Sequence, residues 1–197
     1  MEFDEVVRRR RMVRNYDPDR PVPPEVRDRI LRHALRAPSA GFSQGWAFLV
    51  LESAEQRRRF WAATTPTDST SWLTGMSTAP LIVVPLSHRD AYLDRYAEPD
   101  KGWTDRDEAR WPVPYWHIDT GFAALLMLLT AVDAELGACF FGIPPERIGA
   151  FRDEFGVPEA YTPIGALTFG YRVPDRRSPS LRRGHRPFEE VVHFGDW

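Results

Sequence analysis

The stretch YWHIDTGFAALLMLLTAVDAEL (115–136) decides the fold, because it predicts a long helix that is apolar almost all round. A helix with this pattern lies in the centre of a core or at a subunit interface. Its most apolar part runs from 121 to 132, between Asp119 and Asp133, and is too short for the roughly 20 residues of a membrane span. We therefore expect a core or interface helix and no contact with a membrane.

Apolar runs on both sides of this helix predict buried strands, at WAFLVLE (46–52), LIVVPL (81–86) and PIGALTFGYR (163–172). Helices are predicted elsewhere from amphipathic spacing and capping residues, at about 3–11, 24–36, 53–64 and 145–156. The stretch GACFFGIPP (137–145) predicts a turn, and residues 65–79 predict irregular structure. Three strands spaced by a majority of helices predict an α+β layered fold.

The composition excludes several classes of protein. The 197 residues fit one domain, and a net charge of −2 gives no argument for binding nucleic acid. Cys139 is the only cysteine, so an intrachain disulfide cannot form. The N-terminus is charged from the start and lacks the apolar run of a signal peptide, so we expect a cytoplasmic protein.

Four segments carry groups that could bind a ligand. They are RRRRMVRNY (8–16), PSAGFSQGW (38–46), GACFFG (137–142) and LRRGHRPFEE (181–190). Converging arginines grip a phosphate, and small residues before a strand let backbone N–H groups approach a ligand. Each also has an ordinary interpretation: a solvated basic face, a plain loop, a helix cap or a solvated tail.

Residues 87–116 differ in character from the rest of the chain. Their aromatic side chains stand among charges and prolines, which is typical of an insertion that covers something rather than of a second domain. The aromatics are either core filler or a stacking lid. No histidine has metal-ligand spacing, and the sequence contains no GxGxxG, Walker or GxSxG motif.

Taken in order, these segments resemble the nitroreductase family of FMN-dependent enzymes. RRMVRNY (10–16) is similar to its N-terminal pattern Arg-Arg-Ser-x-Arg-x-Phe, and APSAGFSQGW (37–46) to its Ala-Pro-Ser-x-x-Asn-x-Gln-Pro-Trp. Residues 117–142 resemble its long central helix and glycine-rich exit. Residues 79–84 and 164–171 resemble two of its strands, and 182–197 resemble its basic tail.

The resemblance implies one nitroreductase-like domain over residues 1–197, with the aromatic insertion at about 87–116. It implies a mostly antiparallel sheet flanked by helices, in a homodimer of domain-swapped style with FMN at the subunit interface. NADH or NADPH would reduce a tightly bound FMN, and a nitroaromatic, quinone or similar flat acceptor would reoxidise it in ping-pong fashion.

The resemblance also implies which residues form the site. Arg10, Arg11, Met12 and Arg14 would lie at the phosphate and the polar edge of the flavin, and Arg183 and His185 would complete the phosphate grip. Pro38, Ser39 and Ala40 would reach the flavin from the partner subunit. Ser43, Gln44, Phe141 and Gly142 are the other expected cofactor contacts, and Tyr96, Trp103, Trp111 and Tyr115 are the expected substrate contacts.

The chain departs from the family pattern at four positions. Met12 replaces a serine, Phe42 an asparagine, Gly45 a proline, and His185 a lysine or arginine. Loss of the hydroxyl and the amide removes two polar contacts to the cofactor, while the arginines remain.

Four other functions stay open on the sequence alone. Two are enzymes of the same superfamily, one that fragments flavin to make the lower ligand of cobalamin and one that uses F420. The others are a flavin-binding protein without turnover and an arginine-rich anion-binding protein without flavin.

Overall fold

A computed structural model describes residues 1–65, 71–174 and 178–197. Its helices are α1 (Phe3–Arg9), α2 (Pro24–Ala34), α3 (Ala54–Thr64), α4 (Ser71–Met76), α5 (Arg89–Ala97), α6 (Tyr115–Asp133) and α7 (Ile148–Phe155). Its strands are β1 (Trp46–Leu51), β2 (Leu81–His88), β3 (Gly137–Phe141), β4 (Tyr161–Pro163) and β5 (Ala166–Gly170). Short 3₁₀ turns occupy Ala40–Phe42, Glu108–Arg110, Pro145–Arg147, Pro179–Arg183 and Phe188–Glu190.

The five strands form one antiparallel sheet in the order β1-β2-β5-β3, with β4 paired to β2 beyond the end of β5. Helices α2 and α6 cover one face, where Ile30 and Met127 are fully buried with Val83 of the sheet. Helices α3 and α7 cover the other face, where Phe60 and Phe151 pack on residues that alternate with the first set. The predicted α+β class with a mostly antiparallel sheet is confirmed.

The long predicted helix is α6, which packs most extensively against α2. By length and composition alone α6 could cross a membrane, but half of its most apolar 18-residue stretch is buried within the molecule. Burial against α2 and the sheet is what a central core helix requires.

The prediction of a turn at 137–145 is wrong over its first half, because Gly137–Phe141 is strand β3. The interpretation of these glycines as a helix cap does not explain Gly137, because this residue begins strand β3. A Cβ at Gly137 would lie 2.8 Å from Cγ1 of Val13. The side chain of Val13, in the N-terminal segment, therefore fills the space that a side chain at position 137 would need.

Two other predicted boundaries change. The strand predicted over 163–172 is split into β4 and β5 at Gly165. Its φ of 147° favours glycine, and a Cβ there would lie 2.7 Å from the Phe141 carbonyl oxygen. Within the segment predicted as irregular, Ser71–Met76 is helix α4, and residues 66–70 lie outside the described residues.

Candidate functional site

The arginine segment 10–16 lies against β3, the edge strand of the sheet, and its backbone is bonded there. Met12 forms a parallel bridge with Ala138, and the Val13 N–H donates to the Ala138 carbonyl oxygen at 2.9 Å. Tyr16 is buried, with its hydroxyl 2.9 Å from the Thr168 hydroxyl. This anchoring fixes the backbone from which the arginine side chains extend.

The arginines of this segment differ in their surroundings. Arg8 and Arg9 are exposed on α1, and Arg9 pairs with Glu5 at 3.1 Å, as expected for helix-surface residues. Arg10 is half-buried and Arg11 exposed, and within the described ranges neither guanidinium makes an ion pair. Arg14 is half-buried. Guanidinium groups without a carboxylate partner are available to bind a phosphate bidentately.

Met12, the departure in the middle of this segment, has a structural role. Its sulfur accepts a hydrogen bond from the Phe140 N–H of β3 at 3.4 Å. Its side chain also packs beside the apolar cluster of Val13 and Tyr16. The thioether therefore attaches the arginine segment to β3. In the family pattern a serine occupies this position, and its hydroxyl is expected to face the cofactor.

The loop 38–45, between α2 and β1, is folded on itself by its own polar groups. The Ser43 hydroxyl donates to the Ala40 carbonyl oxygen at 2.6 Å, and the Ser39 hydroxyl accepts from the Gln44 N–H at 3.0 Å. Pro38 and Gln44 are exposed. The serine hydroxyls predicted to face a ligand thus also shape the loop.

Asp119 of α6 anchors this loop. The sequence alone did not predict a role for this residue. One of its oxygens, Oδ2, accepts from the Ala40 N–H at 2.8 Å and from the Tyr92 hydroxyl at 2.9 Å. Burial, followed by the hydrogen bond to Asp119, raises the pKa of Tyr92 well above its ordinary value. The available signal was a carboxylate next to the apolar stretch 121–132 of this helix.

The loop holds an unusual backbone. Gly41, Phe42 and Gln44 all have φ between 50° and 59°, which is uncommon for residues with a side chain. Helix α5 supports them, because Arg95 Nε donates to the Gly41 carbonyl oxygen at 2.9 Å. Phe42 is 74% exposed, so the loop presents an aromatic ring to its surroundings.

Gly45 in place of the family's proline has a local explanation. A Cβ at this position would lie 2.5 Å from the ring of Tyr92 and 2.7 Å from the His88 carbonyl oxygen. The Tyr92 ring occupies the space that a side chain at position 45 would need. The substitution is therefore matched to the aromatic side chain on α5.

The two halves of the predicted site lie at opposite ends of strand β2. The loop joins β1 at Trp46, which pairs with Ser87, whereas Tyr16 of the arginine segment bonds Thr78 just before Leu81. Seven residue steps separate Leu81 from His88, which is roughly 23 Å of extended strand. One chain therefore does not bring the loop to the arginines.

Phe141 ends β3, the strand that carries the arginine segment, and Gly142 follows it. Phe141 is half-buried and stacks on Trp61 with ring centroids 5.5 Å apart, and Gly142 is exposed with open space at its Cα. Arg183 and His185 are exposed in the tail, and within the described residues neither makes a hydrogen bond or ion pair with the arginine segment. Residues 175–177, which precede the tail, lie outside that description.

The aromatic residues of 87–116 pack on each other around Trp111. Its ring centroid lies 4.5 Å from that of Tyr96, 5.5 Å from Trp103 and 5.7 Å from Tyr115. Tyr96 also supports the loop, since a Cβ on Gly41 would lie 2.7 Å from its ring. The cluster is therefore a small core beneath the loop, and Tyr115 at its edge is 36% exposed.

Comparison with known proteins gives a consistent result. The sequence model of the Nitroreductase family matches residues 7–171. A "Putative NADH dehydrogenase/NAD(P)H nitroreductase" from Methanothermobacter thermautotrophicus is 26% identical over 100% of this chain and 88% of its own length.

Solved structures share the fold. A nitroreductase family protein from Clostridium difficile 630 has a TM-score of 0.74 at 24% identity, and the match covers 100% of both chains. A "putative nitroreductase in complex with FMN" from Exiguobacterium sibiricum 255-15 has a TM-score of 0.75 at 21% identity, covering 98% of this chain and 97% of that one.

Proposed function

This chain belongs to the nitroreductase family, and from that premise we propose that it is an FMN-dependent oxidoreductase. It takes reducing equivalents from NADH or NADPH and passes them, in a second half-reaction, to a flat acceptor such as a nitroaromatic or a quinone. FMN, when bound, supplies the redox chemistry, and the protein supplies binding, orientation and electrostatics.

The residues present fit the cofactor. The guanidinium groups of Arg10 and Arg11 have no acidic partner within the described residues, and the backbone that carries them is bonded to β3. Arg10, Arg11 and Arg14 would hold the phosphate and the polar edge of the ring, with Met12, Phe141 and Gly142 beside them. Arg183 and His185, both exposed in the tail, would complete the phosphate grip.

The separation of the two half-sites along β2 carries the proposal. The loop and the arginines of one chain lie at opposite ends of β2, which spans roughly 23 Å, so they act together only if a second copy supplies the loop. We therefore propose a homodimer in which Pro38, Ser39 and Ala40 of one subunit complete the site of the other. Ser43 and Gln44 would contribute from the same loop.

Two apolar surfaces support a dimer. Tyr115, Ile118, Phe122 and Leu125 form a stripe on α6 and are each 36–45% exposed. The tail also exposes Leu181, Phe188, Phe194 and Trp197. Exposed apolar patches of this kind on a single chain mark protein interfaces.

The substrate contacts follow from the same arrangement. Tyr96, Trp103 and Trp111 lie beneath the loop and would shape the pocket wall, and Tyr115 has the most exposed ring of the four. Flat acceptors would stack on such aromatic surfaces.

The purified protein tests the proposal directly. We expect a yellow protein that releases FMN on denaturation and that NADH or NADPH bleaches under anaerobic conditions. A colourless protein that does not take up added FMN would overturn the flavin assignment. Yellow protein that neither NADH nor NADPH bleaches would instead indicate a passive flavin-binding protein or the F420-using branch, and consumption of the flavin under oxygen the flavin-fragmenting branch.

Substitution of one arginine tests where the phosphate binds. Arg10→Ala should weaken FMN binding by about 2 kcal/mol, because a charge-assisted hydrogen bond is lost. Arg8→Ala on exposed α1 is the control and should leave the FMN dissociation constant unchanged. Equal affinities for both variants, measured by flavin fluorescence, would show that the phosphate lies elsewhere.

A further inference from the structure

A cavity lies apart from the residues that we assign to flavin. It has a volume of about 630 Å³ and opens between the end of β2, the start of α6 and strand β4. None of the residues proposed to hold the cofactor lines it. Its size is within the range of small-molecule sites in proteins.

His117 presents a hydrogen-bond acceptor to this cavity. Its Nδ1 lies 2.8 Å from the Ser87 hydroxyl, which donates its single proton to the Thr162 carbonyl oxygen at 3.2 Å. In that network Nδ1 carries the imidazole proton, and Nε2 is left with a lone pair. Within the described residues Nε2 has no hydrogen-bond partner and is not among the buried unsatisfied atoms, so it keeps accessible surface on a residue that lines the cavity.

The charges around the cavity favour a cation. Arg89 is occupied by two carboxylates, with Nε 3.1 Å from Asp90 and Nη1 3.1 Å from Glu108. Glu159 also lines the cavity and makes no ion pair within the described part of the chain. One arginine against three carboxylates leaves an excess of negative charge, which repels phosphates, including those of a nicotinamide dinucleotide.

The same groups do not form a metal site, since no cluster of three or more potential ligands exists among the described residues. Pro114, Trp116 and Ala160 add apolar surface to the lining. His117 lies outside the proposed dimer stripe, because consecutive helical residues point about 100° apart and Ile118 belongs to the stripe.

We propose that this cavity binds a small organic cation, a protonated primary amine attached to a compact apolar body. The ammonium group donates to Nε2 of His117 and pairs with Glu159, and the body contacts Pro114 and Trp116. Burial lowers the pKa of His117, so that the ring is neutral and Nε2 can accept at neutral pH. This proposal does not depend on the flavin assignment.

Calorimetric titration of the full chain at neutral pH with benzylammonium tests the proposal. We expect saturable binding at one site per chain, with benzyl alcohol at least about tenfold weaker and benzoate not bound, because each lacks the ammonium charge. Equal binding of benzylammonium and benzyl alcohol would overturn the proposal, as would no binding of benzylammonium at millimolar concentration.

Variants identify the site. Glu159→Gln should weaken benzylammonium about fivefold, and His117→Phe about tenfold, since an ion pair and an acceptor are lost. Glu146→Gln, which removes an exposed carboxylate outside the cavity, is the matched control and should have no effect. An unchanged folded-state circular dichroism spectrum establishes that His117→Phe is folded. If folded His117→Phe and Glu159→Gln both bind as the parent does, the assignment is wrong.

Discussion

At the scale of single residues, the structure explains positions that the sequence pattern left without a reason. Met12 departs from the family pattern, and its sulfur accepts a hydrogen bond from the Phe140 N–H of β3. Gly45 is matched to the ring of Tyr92. Both explanations depend on residues far away in the chain, at 140 and 92, so no local pattern could supply them.

Asp119 gives a prediction at this scale. Because its Oδ2 accepts from both the Ala40 N–H and the Tyr92 hydroxyl, Asp119→Ala leaves two donors unsatisfied. We expect the free energy of unfolding to fall by about 3 kcal/mol in urea denaturation, with weaker FMN binding. Asp119→Asn keeps an oxygen in that position and should lose about 1 kcal/mol or less. Equal losses for the two variants would contradict this account of the loop.

At the scale of elements, apolar runs and amphipathic spacing predict α2, α3, α6, β1 and β2 well, because burial of one face or one run is a local property of the sequence. They failed at β3, where glycine at position 137 indicated a cap. Glycine is needed at this position because the side chain of Val13, in the N-terminal segment, occupies the space of a Cβ. The four candidate ligand-binding segments could be found from their residue types. The separation of the loop from the arginines along β2 follows from strand pairing, so it could not be predicted.

Helix α4 gives the prediction at this scale. A Cβ on Gly75 would lie 2.3 Å from the carbonyl oxygen of Arg14, so Gly75→Ala must displace the arginine segment. We expect a loss of about 2 kcal/mol in the free energy of unfolding, as for other overpacked positions, and weaker FMN binding. The loss occurs although alanine is the better helix former.

The control is the same substitution in another helix. Gly149 of α7 has open space where a Cβ would be placed, so Gly149→Ala should be neutral or stabilise by up to about 1 kcal/mol. If thermal and urea unfolding show the same change for both glycines, the close approach of α4 to Arg14 has no energetic consequence.

At the scale of the whole molecule, antiparallel pairing sends the two half-sites to opposite ends of the sheet, so the proposed dimer would couple cofactor binding to assembly. A chain that cannot dimerise would keep Arg10 and Arg14 in place and still lack the loop. Flavin affinity should then depend on protein concentration, because binding to the dimer alone stabilises the dimer by mass action.

Substitutions on the exposed stripe of α6 test this coupling. Ile118→Glu with Leu125→Glu places like charges on both copies of a two-fold interface, and we expect dimerisation to weaken by about 3 kcal/mol or more, roughly 100-fold. Because both side chains are exposed on one chain, the subunit should remain folded. Ala150→Glu on the exposed face of α7 is the control. Sedimentation at micromolar concentration should show monomers that have lost FMN, and a monomeric double variant that retains FMN at the parent's affinity would show that one chain completes the site alone.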